Sequence, residues 1–176
     1  HKTKQKDILI QDVKNNLYLI SNEGVIRWKK RISGAILGKV TQVDLFKNGN
    51  LQMSFATESR VYILDLLGKD IGNFPLKFKD NISLPLAVYD YDKNRNYRFL
   101  VTQGKNLLMY DGKGQRVNGF KYKAEEEIKF TPKHIRYRNK DYIVFYHGKK
   151  MKILNRRGKT RIQVKEDIDF SGQDLF

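Results

Sequence analysis

One short pattern occurs four times along the chain. An apolar strand ends in a polar residue, a tight turn closes with glycine, and a second strand follows. The turn glycines are 44, 46 and 44 residues apart, at Gly24, Gly68, Gly114 and Gly158. A period of about 40 to 50 residues with four strands per unit is typical of β-propeller blades. The sequence therefore predicts an all-β fold, a β-propeller of about four antiparallel four-stranded blades, either complete or part of a larger propeller.

Strands within each unit can be assigned from apolar alternation and turn residues. The third unit is the clearest, with strands predicted at 86–92, 97–102, 107–111 and 116–123. In the second unit, Asn48-Gly49 predicts a type I′ turn, which needs positive φ at both central residues. The expected blades of this single domain are 7–34, 39–79, 84–124 and 130–168, and the segment 124–130 is predicted to link the last two.

The first unit has no upstream segment that could serve as its innermost strand. Residues 169–176 lie where a further unit would begin, and they are a candidate strand to close the first blade. The same offset also fits a part of a larger ring, or pairing between two chains. An unpaired sheet edge promotes aggregation, so we expect one of these arrangements to pair it. The chain begins at His1 and not at Met, so we expect a processed protein or a piece of a longer one.

The order apolar–Tyr–apolar–apolar–Asp, turn, Gly-Lys, apolar strand resembles the repeat of the PQQ-like (quinoprotein-type) β-propellers. The turn Asp of that family falls at Asp65 and Asp111. The family also places a Trp four residues after the turn Gly, where it docks between blades, and only Trp28 matches it. The other units carry an apolar residue two positions further on. The resemblance therefore implies blade-docking roles for the four turn glycines and for Trp28, Phe74, Phe120 and Val164.

The family resemblance also implies a class of function. Its members include dehydrogenases and scaffolds for envelope assembly, so the resemblance implies a periplasmic or extracellular location and a protein partner. A quinone site needs residues from many blades, and the three His and absent Cys offer no catalytic set. We therefore expect a non-catalytic binding or scaffold propeller without a cofactor. A weaker alternative is a propeller segment of a quinone- or calcium-dependent enzyme.

Positive charge is concentrated in the fourth unit. The whole chain has 35 Lys and Arg against 19 Asp and Glu, a net charge of +16. Twelve of these cations and only one acid, Asp141, lie between Lys129 and Arg161. Alternation in the stretch 134–138 predicts His134, Arg136 and Arg138 on one face. The unit either forms a solvated rim or binds a polyanion such as anionic lipid, glycan or nucleic acid. The candidate binding residues are Lys133, Arg136, Arg138, Lys149, Lys150, Arg156, Arg157, Lys159 and Arg161.

The stretch "DYDKNRNYRF" has oxygen-bearing side chains at alternate positions, Asp90, Asp92, Asn94 and Asn96. This spacing is that of a calcium-binding loop. Arg95 occupies the sixth position, where such loops favour Gly. The alternative is a hairpin turn in which Asp and Asn accept hydrogen bonds from their own backbone. We favour the turn, and therefore expect no metal.

Overall fold

The computed structural model describes residues 6–171, which form fifteen strands in four antiparallel sheets and no helix. The first sheet contains β1 (Ile8–Gln11), β2 (Asn16–Ile20) and β3 (Ile26–Arg31). The second contains β4 (Thr41–Val43), β5 (Gln52–Ala56), β6 (Arg60–Leu64) and β7 (Leu76–Lys77). The third contains β8 (Ala87–Tyr89), β9 (Arg98–Gln103), β10 (Asn106–Asp111) and β11 (Tyr122–Lys123). The fourth contains β12 (Lys133–Tyr137), β13 (Lys140–His147), β14 (Lys150–Leu154) and β15 (Thr160–Ile162).

Each sheet is a meander in which consecutive strands pair antiparallel. One sheet follows another along the chain, and this is the arrangement of propeller blades. The predicted all-β propeller fold is therefore confirmed. The first sheet has three strands among residues 6–171, and the other three have four. Within the same residues, no helix could span a lipid bilayer.

The sheets are held together by apolar clusters between their faces. Leu17 and Ile32 pack with Phe55 between the first and second sheets. Ile63 and Phe99 belong to the cluster between the second and third sheets. A third cluster, which includes Met109 and Phe145, joins the third and fourth sheets. Because alternate residues of a strand point to opposite faces, each inner sheet contributes to two clusters.

The meander places two kinds of turn at opposite edges of every sheet. We call the edge with the four turn glycines the upper rim, and it also carries the β4–β5, β8–β9 and β12–β13 turns. The lower rim carries the β1–β2, β5–β6, β9–β10 and β13–β14 turns. At the lower rim, backbone hydrogen bonds hold the link between two sheets. After β7, Ile82 N–H donates to Glu58 O of the second sheet at 2.7 Å, and Ser83 N–H donates to Thr102 O of the third at 2.9 Å.

Of the strand predicted at 116–123, only Tyr122–Lys123 forms a strand, β11. Two further details differ from the sequence predictions. The β4–β5 connection is longer than a type I′ turn, and positive φ falls on Lys47 and Gly49 instead of on Asn48. This happens because the Asp44 carboxylate accepts hydrogen bonds from the N–H groups of Asn48 and Gly49. The strand alternation expected through residue 138 ends at Tyr137, and Arg138 lies in a turn with φ of 45°.

The candidate closing strand, 169–176, stays a prediction. Its last five residues, 172–176, lie outside the described residues. In the described part, the Asp169 carboxylate forms an ion pair with Lys149 at 2.6 Å. The Phe170 ring stacks on Tyr146, with 3.7 Å between centroids. Residues 169–170 therefore contact the fourth sheet, and 169–171 form no strand.

Candidate functional site

Trp28 lies on the turn of the neighbouring sheet. Its indole N–H donates a hydrogen bond to Leu66 O at 2.8 Å. The ring covers Gly68 so closely that a Cβ there would lie 2.8 Å from Trp28 Cδ2. Nearby, Lys30 and Asp70 form an ion pair of 2.9 Å between the same two sheets. The indole therefore joins the first sheet to a turn of the second.

The other predicted docking residues differ in their surroundings. Phe74 is buried between the second and third sheets and meets Phe99 edge-on, with centroids 6.0 Å apart. Phe120 is buried between the third and fourth sheets. Val164 is half-buried two residues after β15, and no further sheet follows in the described chain. A Cβ at Gly114 would meet Leu76, and one at Gly158 would meet the backbone oxygen of Lys121 at 2.9 Å.

Polar residues that begin the upper-rim turns act as caps for backbone N–H groups. Asp65 accepts from the N–H of Leu67 and of Lys69, both at 2.8 Å. Asp111 accepts from the two equivalent N–H groups of the third sheet, both at 2.9 Å. These turn groups would otherwise lack partners within the sheet. The repeated Asp positions therefore have a local structural role.

Two of the predicted polyanion-binding residues form an ion cluster between the third and fourth sheets. The Arg136 guanidinium contacts Asp92 at 3.1 Å and Asp141 at 3.2 Å. Arg156 contacts Asp92 at 2.6 Å and also forms a close ion pair with Asp141. His134 Nε2 lies 2.8 Å from Asp141 Oδ1. Burial alone would raise the pKa of Asp141, but the hydrogen bonds from His134 and Arg156 outweigh it and lower that pKa.

The remaining candidate cations lie at both rims and on the strands β12 and β15, so the fourth unit does not present them on one surface. Lys149 and Lys150, at the lower rim, form ion pairs with Asp169 and Asp167. Arg138 and Arg161 lie over the rings of neighbouring tyrosines. Further cations of the set are Lys133, half-buried on the innermost strand β12, and Arg157 and Lys159, in an upper-rim turn.

The candidate calcium loop forms the β8–β9 turn. Asp90 accepts hydrogen bonds from the N–H groups of Asn94 and Arg95 at 3.0 and 2.9 Å. Asn94 caps Asn96 N–H at 3.1 Å, and Asp92 is engaged by arginines of the fourth sheet. Among residues 6–171, no three His, Asp or Glu side chains form a group suited to a metal ion. These oxygens serve backbone capping and ion pairing in the structure.

An exposed apolar surface lies on the upper rim of the second sheet, and sequence analysis did not single it out. We call it the apolar rim patch, and it consists of Phe46, Leu51, Leu66 and Leu67. Their exposed fractions range from 36% to 69%. Phe46 and Leu51 come from the β4–β5 turn, and the two leucines come from the β6–β7 turn. Contiguous exposed apolar side chains of this kind mark interaction surfaces.

Two neighbouring clefts give the apolar rim patch its shape. A cleft of about 360 Å³ lies between its two turns and is lined by all four patch residues. An adjoining cleft of about 610 Å³ shares Phe46 with the first and is also lined by Arg98, Lys113 and Asp111, and by Arg95, which is paired with Asp44 at 2.8 Å. We call the second the basic cleft. The cleft lined by the apolar rim patch therefore lies beside the basic cleft.

A signal for this surface is present in the sequence. The two residues before the turn glycine are Asn-Glu, Gly-Lys and Arg-Arg in the first, third and fourth units, but Leu-Leu in the second. Solvent-facing turns seldom place two large apolar residues together. Comparing the four turns position by position would have identified Leu66 and Leu67.

Comparison with solved structures agrees with the propeller fold. The chain is similar to BBS1N, as crystallised in complex with ARL6DN, in two structures. One has 13% identity, a TM-score of 0.62, and coverage of 89% of this chain and 47% of that one. The other has 11% identity, a TM-score of 0.61, and coverage of 92% and 51%. The chain therefore spans about half the length of these structures.

A structure of BamB from Moraxella catarrhalis is more distant, with 11% identity, a TM-score of 0.44, and coverage of 92% of this chain and 61% of that one. No protein-family model matches the sequence, and no curated protein matches it. The likeness to BBS1N concerns the fold.

Proposed function

We propose that this chain is a non-catalytic propeller segment that binds another protein through the apolar rim patch. The observation that carries the proposal is the exposure of four large apolar side chains on two capped, ordered turns. Binding would remove this surface from water, which contributes about 25 cal/mol per Å² of apolar area. The basic cleft beside it favours a partner segment in which apolar side chains adjoin carboxylates.

The similar propeller BBS1N is held in a complex with ARL6DN. At 13% identity, this supports only the idea that such a fold can present a surface to a protein. It does not identify the partner of this chain. An envelope location, which the PQQ-like resemblance implies, belongs to the same proposal and can be tested by fractionating cells that make the protein.

A variant of the patch can be taken from the chain itself. Replacing Leu66-Leu67 by Asn-Glu copies the turn of the first sheet, whose residues Asn22 and Glu23 precede Gly24. The turn geometry should be kept, because Asp65 and Gly68 are unchanged. We expect the same stability as the wild type and a binding affinity for the partner at least about tenfold weaker.

The partner can be found by placing a photo-crosslinking residue at position 67 in the native cell, with position 23 as the matched control. The proposal expects a defined adduct at 67 and not at 23. The purified adduct partner should then bind the wild type but not the Asn-Glu variant. Equal adducts at both positions, or unchanged affinity of the variant, would contradict it.

Polyanion binding is the second candidate function, favoured by the exposed turn that holds Arg157 and Lys159. Arg136 and Arg156 are already paired with carboxylates. The set of cations proposed to bind a polyanion is therefore smaller than the set predicted from the sequence. Retention on a heparin column should fall with salt and be lost in the double variant Arg157→Glu, Lys159→Glu. Retention that survives this change would refute the idea.

A further inference from the structure

The chain contains two Asn-Gly pairs, Asn48-Gly49 and Asn118-Gly119. This dipeptide is chemically reactive, because glycine has no Cβ to shield its backbone nitrogen from the preceding side chain. Once hydroxide has removed its proton, that nitrogen can attack the side-chain carbonyl carbon Cγ of the asparagine. All four residues are exposed in the structure. Exposure therefore does not distinguish the two pairs, and the difference between them lies in their hydrogen bonds.

Hydrogen bonds hold the first pair in the β4–β5 turn. Gly49 N–H donates to Asp44 Oδ2 at 2.9 Å, and Asn48 Oδ1 accepts from Asn50 N–H at 3.0 Å. Asp44 is buried and is itself held by Arg95 at 2.8 Å. A carboxylate is too weak a base to remove an amide proton, and its negative charge disfavours an anionic nitrogen. Attack on Asn48 therefore requires that these hydrogen bonds break first.

The second pair lies in the β10–β11 connection, between Val117 and Phe120. The turn is closed by a hydrogen bond from Phe120 N–H to Val117 O at 3.3 Å. Among residues 6–171, the N–H of Gly119 has no hydrogen-bond partner, and neither has the side chain of Asn118. Attacking nitrogen and attacked carbon are therefore both free to approach each other.

Local charge also favours reaction at the second pair. Arg116 and Lys121 lie on either side of it in the sequence and are exposed. A positive potential raises the local concentration of hydroxide and stabilises the anionic nitrogen. At the first pair, the Asp44 carboxylate acts in the opposite direction.

We propose that Asn118-Gly119 is a site of spontaneous deamidation, whereas the fold protects Asn48-Gly49. The Gly119 nitrogen bonds to Asn118 Cγ, which forms a cyclic succinimide and releases the side-chain nitrogen as ammonia. Water then opens the ring at either of its carbonyl carbons. Opening at Cγ leaves aspartate, and opening at the main-chain carbonyl carbon leaves isoaspartate, in which the backbone runs through Cβ and Cγ. The net reaction exchanges an amide for a carboxylate at the expense of water, without oxidation or reduction. This proposal is independent of the partner proposed for the apolar rim patch.

Isoaspartate at position 118 lengthens a turn whose two ends are fixed. Val117 N–H donates to Met109 O at 2.8 Å. Phe120 is 2% exposed and packs in the cluster between the third and fourth sheets. Isoaspartate adds a methylene carbon to the backbone between these two residues, so the turn and the packing of Phe120 cannot both be kept. Aspartate leaves the length of the backbone unchanged. We therefore expect isoaspartate, but not aspartate, to loosen the interface of these two sheets.

Incubating the purified chain in warm, mildly alkaline buffer tests the site. Trypsin then releases the two pairs in peptides 117–121 and 48–60, and mass spectrometry measures conversion in each. In the folded chain, Asn118 should convert at least about tenfold faster than Asn48, whose neighbouring hydrogen bonds to a carboxylate have to break. In guanidinium chloride, which unfolds the chain, the two rates should be similar. Equal rates in the folded chain, or conversion of Asn118 only after unfolding, would overturn the proposal.

The second sheet supplies a matched control. Its equivalent turn has the reverse order, Gly72-Asn73, and is closed by the same kind of hydrogen bond at 3.0 Å. Exchanging the pair, Asn118→Gly with Gly119→Asn, keeps the composition and charge of the chain but removes the reactive dipeptide. This variant should not convert at the exchanged turn, and incubation should leave its melting temperature unchanged. Asn118→Gln serves the same purpose if the exchanged turn does not fold.

Thermal unfolding tests the consequence for the interface. Wild-type protein that has formed isoaspartate, separated by ion exchange, should melt at a lower temperature than before incubation. Asn118→Asp, which has the charge of the other product on a backbone of normal length, should melt like the unmodified chain. An isoaspartate form that melts at the same temperature as Asn118→Asp would refute the link between this turn and the packing of Phe120.

Discussion

The contact between Trp28 and the neighbouring turn predicts that equivalent glycines differ in what they tolerate. Gly24 and Gly68 occupy the same turn position, with φ of 81° and 77°. Alanine in this left-handed region costs about 1 kcal/mol at either site. A Cβ at Gly24 has nothing within 4 Å, whereas one at Gly68 would lie 2.8 Å from Trp28 Cδ2. Gly68→Ala therefore has to displace the indole as well as strain the backbone.

Forcing a methyl group against a packed ring costs about 1 to 3 kcal/mol. Adding the strain shared by both sites, we expect Gly68→Ala to lower the free energy of unfolding by about 3 kcal/mol. Gly24→Ala should lower it by only about 1 kcal/mol. Urea titration measures both values. Trp28 is the only Trp, so its fluorescence follows unfolding and should also report the displaced indole in the folded Gly68→Ala protein.

A double-mutant cycle separates the ring contact from the turn strain. In a Trp28→Ala background, Gly68→Ala should cost no more than Gly24→Ala does. If the two glycine variants were equally destabilising with Trp28 present, the indole would not constrain the turn. The same conclusion would follow if the extra cost of Gly68→Ala persisted without the ring.

Three further outcomes concern the interface of the third and fourth sheets. Asp141→Asn should cost about 2 kcal/mol at pH 7, because three neighbouring basic side chains lose a shared carboxylate. The folded-state pKa of Asp141 lies below the unfolded value near 4. The stabilisation that Asp141 provides is therefore present above about pH 4 and lost as the pH falls through its folded-state pKa. The free energy of unfolding from urea titration should accordingly change less between pH 7 and about pH 3 in Asp141→Asn than in the wild type. Tyr89→Phe should cost about 1 kcal/mol in the same assay, since its buried hydroxyl donates to Pro132 O at 2.7 Å. Arg156→Glu should lower the melting temperature clearly, whereas Arg157→Glu in the same turn should leave it nearly unchanged.

The fold could be predicted because the repeat is recognisable from residues that are close together in the sequence. Period-two alternation specifies which residues face each neighbouring sheet, as at Leu107 and Met109, and the turn glycines specify where strands reverse. The ion pairs could not be predicted in this way. Asp92 is 44 residues from Arg136 and 64 from Arg156, and alternation within one strand carries no information about a partner at that separation. Two arginines that looked like free ligands for a polyanion are therefore paired across the interface.

The apolar rim patch and the Trp28 contact are parts of one arrangement. Trp28 holds Leu66 through its carbonyl oxygen, while Asp65 caps the N–H of Leu67. Both leucine side chains are therefore left exposed on a turn whose backbone is fixed from two sides. A surface that is ordered before binding loses less conformational entropy on association, and this favours affinity without extra contact area. Trp28, the blade-docking residue that the repeat predicts, thus also stabilises the β6–β7 turn. This is the turn in which Leu66-Leu67 distinguishes the second sheet from the other three.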